Sequence, residues 1–269
     1  MSAHDGDSQV PDRLADFDRR LITLRGKQKP VFVAGSGPAV IVMSEMPGIT
    51  PLVARFARWV RDAGFTVYMP HLFGDDGRPG DSNVYLLRSV AQVCISREFH
   101  LLRSHSSGPI ADWLRNLAKL AHCESGGKGV GAVGMCITGN FALSLMLEPA
   151  MLAPVLSQPS LPMFPASGLH IGKEELRAVK QRLVDDDLTV LAYRFENDKF
   201  CPAGRFAEYR EALGDRFVGD ETLKNCDANP AAHMKNPHSV LTEHLIDEDG
   251  SKTRQKRDEV LAFLKMRLL

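Results

Sequence analysis

A thiol, a carboxylate and an imidazole occur in this sequence in an order that can build a nucleophile. The thiol is Cys136, in the run Gly134-Met135-Cys136-Ile137-Thr138-Gly139. An apolar β-branched segment precedes it and a helix-like segment follows. The run therefore reads as strand, sharp turn and helix, with cysteine where a nucleophilic serine usually stands. So tight a turn needs a small residue two places before the nucleophile, and Gly134 supplies it. Two places after, Thr138 stands where glycine is usual, so its side chain must find room beside the strand. A helix start behind the turn favours an anion and eases ionisation of the thiol. A buried, inert cysteine at a strand–helix junction has the same local signature, because cysteine is among the most buried residue types.

Two further residues weigh against the inert reading. Asp198 lies in Glu196-Asn197-Asp198-Lys199, at the end of a strand-like run, and His238 lies in Asn236-Pro237-His238-Ser239, ahead of the last helix. Nucleophile, acid and base then follow in the chain order used when such a turn tops a parallel sheet. His238 would take the Cys136 proton, and Asp198 would orient the ring and stabilise its cation. The resulting thiolate attacks a carbonyl carbon, so the chemistry is acyl transfer. Glu196 and Asp187 are rival acids, and His233 and His244 rival bases. Asp198 would equally suit a turn that caps the helix starting near Pro202. Glu45 stands out too, since it follows the apolar run 40–43 and Ser44 and precedes Met-Pro-Gly. A carboxylate at the top of a central strand is partly desolvated and needs a partner. The loop behind it can offer the Met46 N–H, and the turn the Ile137 N–H, as two donors for an oxyanion.

The elements that must position these residues alternate between two periods. Segments 31–33, 40–43, 66–69, 130–135, 154–157 and 188–195 read as strands. Segments 50–63, 83–102, 111–123, 138–147, 173–184, 202–213 and 258–268 read as helices. Thr50 is the expected N-cap of the first helix, with Pro51 at its first position and Gly64 as its stop. Gly35-Ser36-Gly37 reads as a hairpin turn, residues 71–82 as loop, and 252–257 as a solvated face. Phe73, Tyr85, Phe99 and Trp113 are expected in the core. The alternation implies a mostly parallel, doubly wound sheet with helices on both faces, and reactive loops then lie at the C-terminal ends of the strands.

Composition excludes other classes. The 269 residues suit one large α/β domain over 11–269, after a polar tail over 1–10. Thirty-three basic residues balance thirty-three acidic ones, so nothing draws the chain to nucleic acid or an anionic membrane. No apolar run approaches the roughly 18 residues that span a bilayer, and residues 1–10 lack the features of a signal peptide. Five scattered cysteines fit free thiols, so the expected location is the cytoplasm; Cys201 is expected to be a packed loop cysteine. The sequence offers no metal site and calls for no cofactor.

These residues resemble the dienelactone hydrolase family, cysteine members of the α/β-hydrolase superfamily. The likeness runs from about Val31 to the C-terminus. It rests on the run around Cys136, on Val40-Ile41-Val42-Met43-Ser44-Glu45-Met46-Pro47-Gly48, on the helix that carries Trp59, on Asn197-Asp198 with Pro202, and on His238-Ser239. It implies an α/β-hydrolase fold, a Cys–His–Asp triad and hydrolysis of a small-molecule ester or lactone. It also implies a role for Glu45, holding the resting thiol until substrate displaces it. One departure is clear: the family places an arginine for the substrate carboxylate four residues after the catalytic histidine, and here that residue is Thr242. A second arginine has no matched counterpart, although Arg88 and Arg97 lie in the same region. Dienelactone itself is therefore left open as substrate, as are monomer and homodimer. A non-catalytic ligand-binding protein and a thiol redox sensor are the competing readings on the same fold.

Overall fold

The computed structural model describes residues 10–95 and 108–269. Residues 1–9 of the tail expected over 1–10, the end of the helix expected over 83–102, Arg97 and Phe99 lie outside the described residues.

The N-terminal hairpin joins β1 (Asp18–Leu24) to β2 (Lys27–Gly35). Its two-residue turn, Arg25-Gly26, has both φ angles positive, 53° and 72°, which matches the right-handed twist of the flanking strands. Next come β3 (Ala39–Met43), α1 (Pro51–Asp62), β4 (Thr66–Pro70), α2 (Asn83–Ile95), α3 (Pro109–Ser125) and β5 (Val130–Met135). The chain ends with α4 (Gly139–Ser144), β6 (Met151–Ser157), α5 (Lys173–Asp185), β7 (Val190–Phe195), α6 (Ala203–Leu213), β8 (Phe217–Leu223) and α7 (Lys252–Leu268). The strands form one sheet in the order β1-β2-β4-β3-β5-β6-β7-β8. Only the β1–β2 and β2–β4 pairs are antiparallel.

Both faces of this sheet are buried, so its central strands are apolar throughout. Every residue of β3 and β5 is buried. Alternating side chains feed two cores: Ile41 and Met43 face α3 to α6, with Trp113, Phe141 and Phe206, while Val40 and Val42 face α1 and α7, with Phe56 and Phe263. Burying each such aliphatic side chain contributes about 1.5–3 kcal/mol. Helix α1 begins as expected, with Thr50 Oγ1 accepting from Val53 N at 3.3 Å and Pro51 at the first position. Phe73, Tyr85 and Trp113 are buried, and Trp113 donates its indole N–H to the Lys27 carbonyl at 3.0 Å. No helix among the described residues is long and apolar enough to cross a membrane.

Three local expectations need correction. Residues 35–37 do not close a hairpin, because β2 and β3 are not neighbours and β4 lies between them. The stretch 138–147 is not one helix but a 3₁₀ turn at Cys136–Thr138, the six-residue α4, and a second 3₁₀ turn at Leu145–Leu147. Residues 252–257 are not a solvated face. They open α7, where Thr253 and Arg257 are buried, and Arg257 lies over the Trp59 ring while pairing with Asp247 at 2.6 Å. A long guanidinium stem covers apolar surface while its head stays paired, which a charge count cannot reveal.

Candidate active site

Cys136 follows the last residue of β5 and has φ of 56°, in the left-handed region that non-glycine residues rarely adopt. This conformation turns the chain from strand into 3₁₀ turn within one residue and leaves the side chain partly exposed. Gly134 permits it, since a Cβ there would lie 2.3 Å from the Thr138 carbonyl oxygen. Gly139 is the second close approach, with a Cβ placed 2.8 Å from Pro159 Cα.

Thr138 explains why the second glycine stands one place later than usual. Its buried hydroxyl accepts from Met135 N at 2.9 Å and has the carbonyl oxygens of Met43 and Ser44 at 3.1 Å, so it ties the end of β5 to the end of β3. Thr138→Val keeps the shape and removes these bonds, leaving the buried Met135 N–H without its acceptor. We expect a loss of about 1–3 kcal/mol in unfolding free energy, measured by urea denaturation. An unchanged urea midpoint would contradict this role.

Asp198 and His238 meet as a buried pair, Oδ2 to Nδ1, at 2.7 Å. Asp198 Oδ1 accepts from the backbone N–H groups of Phe200 at 2.8 Å and Cys201 at 3.1 Å, so every oxygen of the carboxylate is engaged. The other ring nitrogen, Nε2, is buried without an ordinary hydrogen bond. Burial depresses the pKa of His238, but the nearby Cys136 sulfur and the Asp198 carboxylate outweigh it and raise the value well above the usual one. The structure thus brings Cys136, His238 and Asp198 together at the C-terminal ends of β5 and β7 and in the loop before α7.

The rivals lie elsewhere or serve differently. Asp187 is exposed and paired with Arg216. Glu196 is exposed and accepts from Asn225 N at 3.4 Å. His233 faces Asn83 at 3.4 Å. His244 is buried beneath the His238 loop. Its Nδ1 accepts from Ser239 N at 3.1 Å and His238 N at 3.4 Å, and its Nε2 donates to the Met234 carbonyl at 2.9 Å. A neutral ring makes all of these bonds, in keeping with the burial that lowers its pKa.

Glu45 is buried at the end of β3, but its hydrogen bonds do not go to the thiol. One oxygen accepts from the Thr242 hydroxyl and the other from the Gln158 amide at 3.0 Å. Burial raises its pKa, opposed by Thr242, the His238 charge and Ser239. The arrangement expected for a carboxylate holding the resting thiol is therefore not the one found: its partners stand on the His238 side. Thr242, where the resemblance implies an arginine, is itself a partner of Glu45. Met46 is half-buried and Ile137 buried, on the two loops that flank Cys136.

Several supporting residues are not marked by any sequence motif. Phe200 sits edge-on to His238, with ring centroids 5.3 Å apart, and is 52% exposed. Arg205 is buried and donates to the carbonyls of Pro159 at 2.7 Å, Pro162 at 2.6 Å and Ala166, which staples the loop after β6. Cys201 is buried, and burial pushes its thiol up out of the reactive range, as fits a packed loop cysteine.

The sequence pattern of the Dienelactone hydrolase family matches residues 27–219, well over half of the chain. The protein belongs to the dienelactone hydrolase family. The matched span holds Glu45, Cys136 and Asp198 and stops short of His238. The chain is similar in structure to a candidate dienelactone hydrolase from Klebsiella pneumoniae, with a TM-score of 0.60, 18% identity, and 91% of this chain and 98% of the other covered. The dienelactone hydrolase of Anabaena variabilis gives 0.54 and 12%, with 94% and 100% covered. A cold-adapted esterase from an Arctic intertidal metagenomic library gives 0.54 and 13%, with 97% and 98% covered. At these identities the likeness establishes the fold, an α/β-hydrolase sheet, and the family establishes a hydrolase. Among curated proteins, none matches this sequence.

Proposed function

We propose that this dienelactone hydrolase family member cleaves a small-molecule ester or lactone with Cys136 as nucleophile, His238 as base and Asp198 as its orienting acid. The observation that carries the reading is the conjunction of a left-handed cysteine at a strand end with a buried His–Asp pair facing it. His238 Nε2 takes the thiol proton, and the thiolate attacks the carbonyl carbon to form a tetrahedral oxyanion. The N–H groups of Ile137 and Met46 stabilise that charge. Collapse expels the alkoxide, which takes the proton from His238, and leaves an acyl-thioester on Cys136. Water, deprotonated by His238, then releases the acid and restores the thiol.

The half-exposed ring of Phe200 gives the acyl or leaving group an apolar wall beside His238. Thr242 is engaged with Glu45, so the residue four places after His238 offers no charge to a substrate carboxylate. This favours neutral esters and lactones. Mixing the protein with p-nitrophenyl acetate is expected to give a burst of one p-nitrophenolate per chain, with one acetyl group found on Cys136 by peptide mass spectrometry. Alkylation of Cys136 without burst or turnover would instead point to a thiol sensor.

A further inference from the structure

Gln158 directly follows β6 with no part of it exposed, and no motif marks it. Its φ is 35°, left-handed like that of Cys136, and such strain in a non-glycine residue persists only where the surroundings enforce it. The surroundings are the working parts of the site. The amide Nε2 donates to Glu45 at 3.0 Å. The amide oxygen accepts from the Ser157 hydroxyl and from Val240 N at 3.3 Å, two residues after His238. The backbone N–H donates to the Tyr193 carbonyl on β7 at 2.8 Å. The backbone carbonyl accepts from the Ser160 hydroxyl at 2.9 Å, and Ser160 N donates to the Cys136 carbonyl at 3.0 Å. Its side chain thus joins the end of β3 to the His238 loop, while its backbone bonds β7 and, through Ser160, reaches Cys136 after β5.

On the triad reading above, we propose that Gln158 is a positioning residue that fixes Glu45 beside the His238 loop, where the carboxylate steadies the His238 imidazolium through space. An amide suits this task because one group of that length gives a donor to the carboxylate and an acceptor to the Val240 N–H. Leucine supplies neither. Glutamate supplies acceptors only, unless it carries a proton. Glu45 is placed for the effect, since it accepts from Thr242 on the His238 loop and from Gln158, whose amide oxygen also holds Val240 N of that loop, with Glu243 the neighbouring acid. His238 in turn faces Cys136 and Asp198, and the neutral His244 lies beneath it. Glu45 is therefore a second carboxylate acting on the base without touching it.

The test compares Gln158→Glu and Gln158→Leu with wild type, using p-nitrophenyl acetate turnover from about pH 5.5 to 8.5. In Gln158→Glu, two carboxyls face each other in a buried site and share one proton at low pH. That proton restores the missing donor, and its loss sets two anions against each other. The ratio of kcat to wild type is expected near one at the acid end. It should fall about tenfold or more as the shared proton leaves, since one titrating group changes the competent fraction about tenfold per pH unit. Gln158→Leu adds no titrating carboxyl and is expected to lower kcat about tenfold, with KM little changed. The wild-type denominator removes the pH effects common to both proteins. Iodoacetamide labelling of Cys136 across the same pH range, read by peptide mass spectrometry because Cys94, Cys123 and Cys226 are exposed, should follow the same ratios.

A flat ratio for Gln158→Glu, or wild-type kcat in both variants after correction for the folded fraction, overturns the proposal. If Gln158→Leu does not fold, the Gln158→Glu ratio alone decides. Persistent turnover in Cys136→Ala removes the triad reading and this proposal with it, whereas a dead Cys136→Ala with silent Gln158 variants removes the proposal alone.

Discussion

Cys136→Ala is expected to lower p-nitrophenyl acetate turnover about 10⁴-fold or more while leaving the unfolding midpoint close to wild type. Members of a catalytic unit are not additive, and loss of the nucleophile alone removes nearly all that the unit contributes. What remains, from oxyanion donors and binding, is about 10³–10⁴-fold over water. Stability should change by less than about 1 kcal/mol, because Cys136 is only partly buried and alanine meets the same left-handed backbone. Stopped-flow turnover and thermal melts followed by circular dichroism read the two quantities separately. Cys136→Ser is the companion variant. Its hydroxyl needs a stronger base than a thiol does, so a site built for thiolate should run slowly with it. Turnover surviving intact in Cys136→Ala would place the chemistry at another residue.

Asp198→Asn is expected to reduce kcat/KM by about 10⁴-fold, because an amide can present its N–H to His238 Nδ1 and select the wrong tautomer. It should also move the His238 titration downward. Burial alone depresses that pKa, and in wild type Cys136 and Asp198 together carry it above the usual value. The sign for wild-type stability follows. A folded-state pKa raised above the unfolded value of about 6.5 gives a contribution fully present below that value and lost as pH rises through the higher folded value. Taking away Asp198 removes part of the elevation and narrows that window from above. Histidine NMR titration of the two proteins, with His238→Gln to assign the resonance, checks the shift. A His238 pKa unmoved in Asp198→Asn would mean that the carboxylate does not act on the base.

Much of this site is legible in the sequence for a physical reason. A nucleophile turn makes local demands, a small residue before it and a strand and helix around it, so the residues about Cys136 carry the signal themselves. Strand-end placement similarly marks Asp198. His238 is readable only by chain order, since the loop around it has no periodic pattern. Gln158 and Ser160 escape notice because their partners come from other strands and loops, and nothing local distinguishes them from other buried polar side chains; His244, a rival base in the sequence, serves the His238 loop instead. The partners of Glu45 escape for the same reason: they lie 113 and 197 positions away. The fold reads well where strands are central and wholly apolar. Strands β1 and β8 were not expected, because as edge strands they are half exposed and carry charges that blunt the apolar pattern. Thr138 looked anomalous only while the space beside the strand was unknown; its hydroxyl fills it.

Two left-handed residues, Cys136 and Gln158, cap neighbouring strands, and their conformations are enforced by bonds that reach β3, β7 and the loop before α7. Synthesis delivers Cys136 to the growing chain well before Asp198 and His238. Until the last of those segments docks, Cys136 has neither that histidine beside it nor an enforced turn. On the triad proposed above, Cys136 therefore meets its base only when the sheet is complete. On that reading a nascent or half-opened chain carries Cys136 without its base, and reactivity is gained and lost together with the finished sheet.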